Sequence, residues 1–450
     1  MQAEALLIFT VLASFLSVGM VVTFRRGLFS PYFLFFAYLF VGIIIRGFYL
    51  LDDSAFDEKD FWTLVAPLVQ GDFARAYLEL LTAIVIAVVA SRVIRRIRNP
   101  VEEAFLRFYS FRSDQISFNA TVLVALFSCV GFVAALGLTQ GGLGEGFVAL
   151  QKRALVFGSE MFIIRILTVV FSISVAMVLY KCSAEGRSSG LRKAIVAALV
   201  LSNISLLLLS GGRGPVVTQM VVLLYVRNRG LSRGGIRLGT SVLISVVGSL
   251  VLVEGMAMRR SAQSGINMGE ATVDSINTAG HTVSGAFPIT DLYLSARHFA
   301  HSAGHDHGMQ FLLYGVRFVP RSIWEKKPFN LSYSIREFYY GDTLSGAPPT
   351  VFGEFFIAWG FPGIIGCGIF LGWMLSFLER AYRRARDDSA FALIYILLVP
   401  LLIFDGLRAG LEQAVIMILY LLVTLTCFKL ASRCRRLTAK KPLVCRIGTS

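Results

Sequence analysis

The sequence predicts an all-α, polytopic integral membrane protein of about eleven transmembrane helices. Three observations carry that prediction. Of its 450 residues, 56% are hydrophobic, and the mean hydropathy is +0.69. Runs of roughly 18 or more apolar residues recur along the whole chain, each long enough to cross a bilayer. Basic residues gather in alternate loops, the pattern of positive-inside topology. A transmembrane barrel would instead show short alternating segments, and the chain has none.

The first span, 5–23, has no basic residue before it and Arg25-Arg26 in "FRRG" after it. That order suits an uncleaved helix with its N-terminus outside. The second, 31–50, contains Arg46. The third, 76–91, is followed by "RVIRRIR", and the fourth is 119–138. The fifth, 159–180, holds Arg165 and is followed by "KCSAEGRSSGLRK". The sixth, 193–210, ends at "SGGRGP"; the seventh, 214–226, is short and leads into "RNRGLSRGGIR". The eighth, 238–256, leaves through Arg259-Arg260. The ninth, 353–378, contains "AWGFPG" at 358–363, which would split off a separate helix around 353–360; "RAYRRAR" follows it. The tenth and eleventh, 389–405 and 411–430, are joined by "DGLRAGL" and followed by "SRCRRLTAKK".

With the N-terminus out and the C-terminus in, those basic stretches all fall inside. The inner loops hold more than half of the 43 Lys and Arg and only seven of the 28 acids. The net charge of +15 is then a topology and lipid-headgroup signal, and a nucleic-acid partner is not implied. None of the six cysteines falls in an outer loop: Cys129, Cys367 and Cys427 lie in spans, and Cys182, Cys434 and Cys445 lie inside. No outer disulfide follows. The chain reads as one transmembrane domain, 1–450, with one large outer loop at 257–350 that holds all five histidines. Long loops rich in polar groups are uncommon unless they work, so the active face is placed outside.

Several outer charges depart from topology. Arg213 sits in "GGRGP", where glycines and Pro215 let backbone N–H groups and a helix start face the same point as the guanidinium. Arginine binds phosphate oxygens as a planar fork; the plainer reading is a snorkelling loop arginine. Arg259, Arg260, Arg317, Arg321, Lys326, Lys327 and Arg408 lie on the same side, each equally open to a loop salt bridge. Arg46 and Arg165 read as packing partners of acids such as Glu254. "RHFAHSAGHDHG" at 297–308 offers ligand types for a metal in His301, His305, Asp306 and His307, but in no strong motif spacing. A polar sugar-facing loop, or acid/base work by one histidine, fits as well. Glu354 starts an apolar helix, where the helix dipole favours a carboxylate; it is also a candidate general base, with Asp342 and Glu337 as competitors.

These residues resemble a family. "SGGRGP" after a mid-chain span, Arg259-Arg260 opening the large loop, "FVPRSIWEKKP", "PPTVFGEFFIAWGFPGIIGCGIFLG" and "LRAGL" occur in order, as in bacterial O-antigen and enterobacterial common antigen polymerases of the Wzy type. Ala409 stands where the common-antigen polymerases' turn has Glu. The resemblance implies a glycosyltransferase of GT-C-like fold, multi-pass in the bacterial inner membrane, with a periplasmic active face. It would join undecaprenyl-diphosphate-linked repeat units, release undecaprenyl diphosphate and need no cofactor. A chain-length regulator and a flippase would be partners alongside membrane lipids. Leaving-group chemistry asks for cations where charge builds. Arg213, Arg259, Arg260, Arg317, Lys327 and Arg408 are assigned to the diphosphate, with Arg321 placed among the catalytic residues. Glu354 and His305 are the candidate bases, and Trp324, Tyr339 and Tyr340 could stack on sugars or simply pack. An O-antigen ligase, which transfers the same donor glycan to lipid A core, is the nearest rival. A flippase or transporter would show internal repeats and midplane charges, which are absent.

Overall fold

The structure, a computed structural model, describes residues 3–27, 29–50, 65, 68–97, 99–140, 142, 160–185, 189–209, 288–316, 324, 328, 330–341 and 347–439. Among them every regular element is helical. In chain order α1 is Ala3–Phe24, α2 Pro31–Phe48, α3 Phe73–Ile94, α4 Pro100–Phe108, α5 Phe118–Gln140, α6 Glu160–Glu185 and α7 Gly190–Leu209. From residue 288 onward come α8 Ile289–Ala303, α9 Met309–Tyr314, α10 Leu331–Tyr340, α11 Thr350–Trp359, α12 Phe361–Asp387, α13 Ala392–Ala409 and α14 Leu411–Ala439.

Eight of these are long and apolar enough to cross a membrane: α1, α2, α3, α5, α7, α12, α13 and α14. Helix α6 adds the shorter apolar stretch Ile166–Cys182. The protein is a polytopic helical membrane protein. Of the eleven predicted spans, 214–226 and 238–256 lie outside the described residues. The other nine coincide with helices, and the ninth divides at Gly360 into α11 and α12.

The outward faces are as apolar as the core. Leu7 of α1 and Phe127 of α5 are 67% and 78% exposed, an arrangement that water would penalise and lipid would not. Hydroxyls inside the spans bond back to the preceding turn, as Thr10, Thr82, Ser128 and Thr424 do to the carbonyl four residues earlier. Those four hydroxyls are then not left bare in hydrocarbon.

The central pair is α3 and α12. Gly368, Gly372 and Ser376 of α12 repeat at every fourth position and face Ala83, Ala87 and Ser91 of α3. A Cβ on Gly372 would lie 2.8 Å from the Ala87 carbonyl oxygen and 2.9 Å from the Ser91 nitrogen. Small residues let the two backbones touch, the usual basis of helix association in membranes. The Ser376 hydroxyl closes the contact by donating to the Ser91 carbonyl at 2.7 Å.

The bundle has two distinct ends. At one, the segments read as inner loops meet: Tyr382 Oη donates to the Arg26 carbonyl at 3.3 Å, Phe111 N–H to the Ala390 carbonyl at 2.8 Å, and Lys429 Nζ to the Ser110 carbonyl at 2.7 Å. Helix α4 lies here. Pro100 opens it and Asn99 caps it, accepting from Val101 N–H at 3.0 Å, and an amphipathic face this short gave no span-like signal in the sequence. At the other end sit α8 to α11 and the start of α14. Leu411 and Lys429 are eighteen helical steps apart on α14, about 27 Å, so the two ends are a bilayer's core apart.

Candidate functional site

The described part of the long loop is helix built into the bundle. Ten consecutive or near-consecutive residues of α8, among them Asp291, Tyr293 and Arg297, are buried. Arg46 Nη2 meets Asp291 Oδ2 at 2.9 Å, so its partner is an acid of α8. Arg297 reaches Glu79 Oε2 at 3.1 Å and Asp72 Oδ2 at 2.6 Å, and Tyr293 Oη donates to Glu79 Oε2 at 2.6 Å. Arg297 and Glu79 are each only 2% exposed at the side chain. A buried charge survives only when paired and hydrogen-bonded, and these pairs fasten α8 to α2 and α3.

Helices α2 and α13 are each interrupted by a wide π turn, Phe40–Ile45 and Pro400–Asp405. In α13 the cause is Pro400, which lacks an N–H and crowds the preceding turn. The second turn packs against α2 just ahead of the first, with the Tyr38 and Phe404 rings 5.3 Å apart. Each is followed within a turn by an arginine, Arg46 or Arg408. Such turns recur at functional sites.

Arg408 differs from every buried cation around it. It is half-buried at the end of an apolar span, and its Nε is fully shielded. Among the described residues it makes no hydrogen bond and no ion pair within 4 Å. Asp405 and the Tyr38 hydroxyl lie within electrostatic reach only. A guanidinium in this state attracts an anion.

Next to it lies Glu354 of α11. This helix is ten residues, about 15 Å long, too short to span. It ends at Gly360, whose φ of 63° and ψ of −140° suit only glycine. Gly353 packs against Ala296 of α8. Glu354 is 2% exposed. Its Oε2 accepts from Leu411 N–H at 2.6 Å, and the Glu412 N–H and Tyr314 hydroxyl face the same carboxyl. Burial pushes its pKa up to about 8, against the lowering effect of the Leu411 and Tyr314 hydrogen bonds. Gln310 Nε2 donates to the Glu354 carbonyl at 3.2 Å.

The histidine loop wraps the far end of α11. His305 Nδ1 lies 3.2 Å from the Ile357 carbonyl. That acceptor requires the proton on Nδ1 and leaves Nε2 as the ring's basic nitrogen. Asp306 is used locally: it accepts from Gly308 N–H at 2.9 Å and Gln310 N–H at 3.3 Å, ordering the start of α9. Among the described residues no group of three His, Cys, Asp or Glu side chains converges on one point. His305, His307, Trp359 and Pro362 line an open cleft of about 410 Å³. Trp359 stacks on Phe311 at 5.2 Å with its other side exposed. His301 stands edge-on to Phe356, and burial, helped by the nearby Arg297 charge, lowers its pKa.

The structure therefore gathers Glu354, His305 and Arg408 of the sequence-derived set around α11 and the α13–α14 turn. Tyr339 is used in packing: its hydroxyl donates to the Ser295 carbonyl at 2.9 Å and meets His298 Nδ1. The ring of Tyr340 is covered by the Arg336 guanidinium at 4.1 Å. Trp324 is half-buried. Arg213, Arg259, Arg260, Arg317, Arg321 and Lys327 lie outside the described residues, as do Asp342 and Glu254. Sequence reasoning missed Asp72, Glu79, Asp291 and Arg297; the available signal was an acid or arginine inside an otherwise apolar helical stretch.

No protein-family model, no curated protein and no solved structure matches the chain.

Proposed function

We propose that this protein is a glycosyltransferase of the Wzy polymerase type, acting on undecaprenyl-diphosphate-linked oligosaccharides at the end of the bundle that holds Arg408. The observation that carries the reading is Arg408 itself: a half-buried guanidinium with no ion-pair partner among the described residues, at the mouth of an apolar span. Lipid-linked diphosphates carry their charge at that depth, and a dry cation there is worth more than one in water. Arg213, Arg260 and Arg321 are the sequence's additional candidates for the same anion.

In the reaction, a hydroxyl at the non-reducing end of the incoming unit attacks the anomeric carbon of the growing chain. The new glycosidic C–O bond forms as the C–O bond to diphosphate breaks, and undecaprenyl diphosphate leaves with the electron pair. Arg408 would stabilise that charge. The hydroxyl proton would pass to Nε2 of His305, which lines the open cleft and whose Nδ1 is engaged by the Ile357 carbonyl.

The test is the surface glycan of a strain whose only copy carries Arg408→Ala, with expression and membrane insertion measured in parallel. Loss of the long-chain ladder with retention of a single capped repeat supports the polymerase. Bare core would mean a ligase, and a full ladder would remove Arg408 from the site.

A further inference from the structure

Arg408 stands on a turn of unusual construction. The chain leaves α13 at Ala409, passes Gly410 at φ 85°, and re-enters helix at Leu411. Such a turn exposes the first N–H groups of α14, normally covered by a cap residue one or two positions earlier in the same chain. Here the position before the helix is glycine, with no side chain to offer. The acceptor is supplied from 57 residues away, by Glu354. The fit is close in both directions: a Cβ on Gly410 would fall onto the Glu354 carboxyl. Gln310 ties the Glu354 backbone to α9, and α11 is buried along its length, so the carboxyl is rigidly held. It has no exposed face from which to reach a sugar hydroxyl.

We propose that Glu354 is a positioning residue: by capping Leu411 it orders the Gly410 turn and so aims Arg408 at its anion. In this role it acts through two residues and touches no substrate. This assignment rests on the functional reading above for what Arg408 binds, but its structural half stands independently. The carboxyl's need is for an acceptor oxygen, so glutamine, of the same length and with an amide oxygen, fills the role. A general base has no such substitute. The raised pKa of Glu354 agrees, since a carboxyl that keeps its proton at neutral pH is a poor base there.

The experiment compares wild type, Glu354→Gln and Glu354→Ala in lipid nanodiscs, reading hydrogen exchange over the Leu411 segment and glycan elongation. Glu354→Ala should unprotect the Leu411 amide and cut elongation by about 100-fold, the scale of a misplaced contact of an ångström or so. Glu354→Gln should keep Leu411 protected and elongate within about threefold of wild type, because the hydrogen bond is retained. The proposal is overturned if Glu354→Gln loses elongation as fully as the alanine variant with Leu411 still protected, which would make the carboxyl a chemical participant. It is equally overturned if Leu411 stays protected in Glu354→Ala. Should the alanine variant fail to accumulate, the glutamine variant alone decides. Should the wild type not elongate glycans at all, the functional reading fails while the exchange result still judges the positioning claim.

Discussion

The two ends of the bundle both carry charge, and they differ in how deeply they bury their arginines. At the end with the basic loops most ion pairs are at least partly exposed, although Arg380 meets the buried Glu102 there across 278 positions. Arg192 and Lys181 share Glu185 at 3.0 and 2.9 Å, and Arg384 meets Glu103 at 3.3 Å. At the other end the pairs are buried and join residues far apart in sequence, Arg46 with Asp291 and Arg297 with Glu79 and Asp72. One arginine there, Arg408, makes no pair among the described residues. Exposed pairs cost little and contribute little. They suit a region whose work is orientation in the membrane. Buried charges are expensive, and among the described residues the arginines that are themselves buried, Arg46 and Arg297, sit at this second end.

The sharpest break in that comparison is Arg408→Ala. It should abolish long-chain glycan while leaving the amount of folded protein unchanged. Next is Arg297→Leu, which strands Glu79 in the core and should destabilise by about 3–5 kcal/mol. Thermal unfolding in nanodiscs would read this, and adding Glu79→Leu should recover part of the loss, since an apolar pair of similar volume is often neutral.

A smaller effect concerns pH. Glu354 holds its proton up to about 8 in the folded state, whereas an unfolded glutamate releases it near pH ~4.3. Between those values the folded state binds more protons, so this group's contribution favours the fold at low pH and is lost as pH rises through about 8. Melting temperature measured from pH 5 to 8 should therefore fall less steeply in Glu354→Gln than in wild type. Tyr314 and Glu412, which face the same carboxyl, are unchanged in that comparison. The smallest effect is expected at the opposite end: Arg192→Ala should cost about 0–1 kcal/mol and leave elongation intact.

The spans were legible because each is a long apolar run, and the break before α12 because glycine and proline mark it. The short helices α4 and α8 to α10 were not, since their apolar faces make sense only against partners elsewhere in the chain. Arg408 was legible as a charge that topology does not want. Its lack of a partner among the described residues was not, because pairing is settled in three dimensions: Arg46 finds Asp291 across 245 positions. Glu354 illustrates the limit well. The sequence marks it as an acid at the start of a helix, and the structure assigns its hydrogen bond to a different helix. The π turns left no trace in apolar periodicity beyond Pro400.

The most direct test of the central claim is binding of undecaprenyl diphosphate to the purified full-length protein in nanodiscs, wild type against Arg408→Ala. Measurable binding by the wild type, weakened tenfold or more in the variant at equal fold stability, is the predicted result; a change of that size is about 1.4 kcal/mol. Equal binding by the two proteins would contradict the claim that this arginine serves a lipid-linked anion.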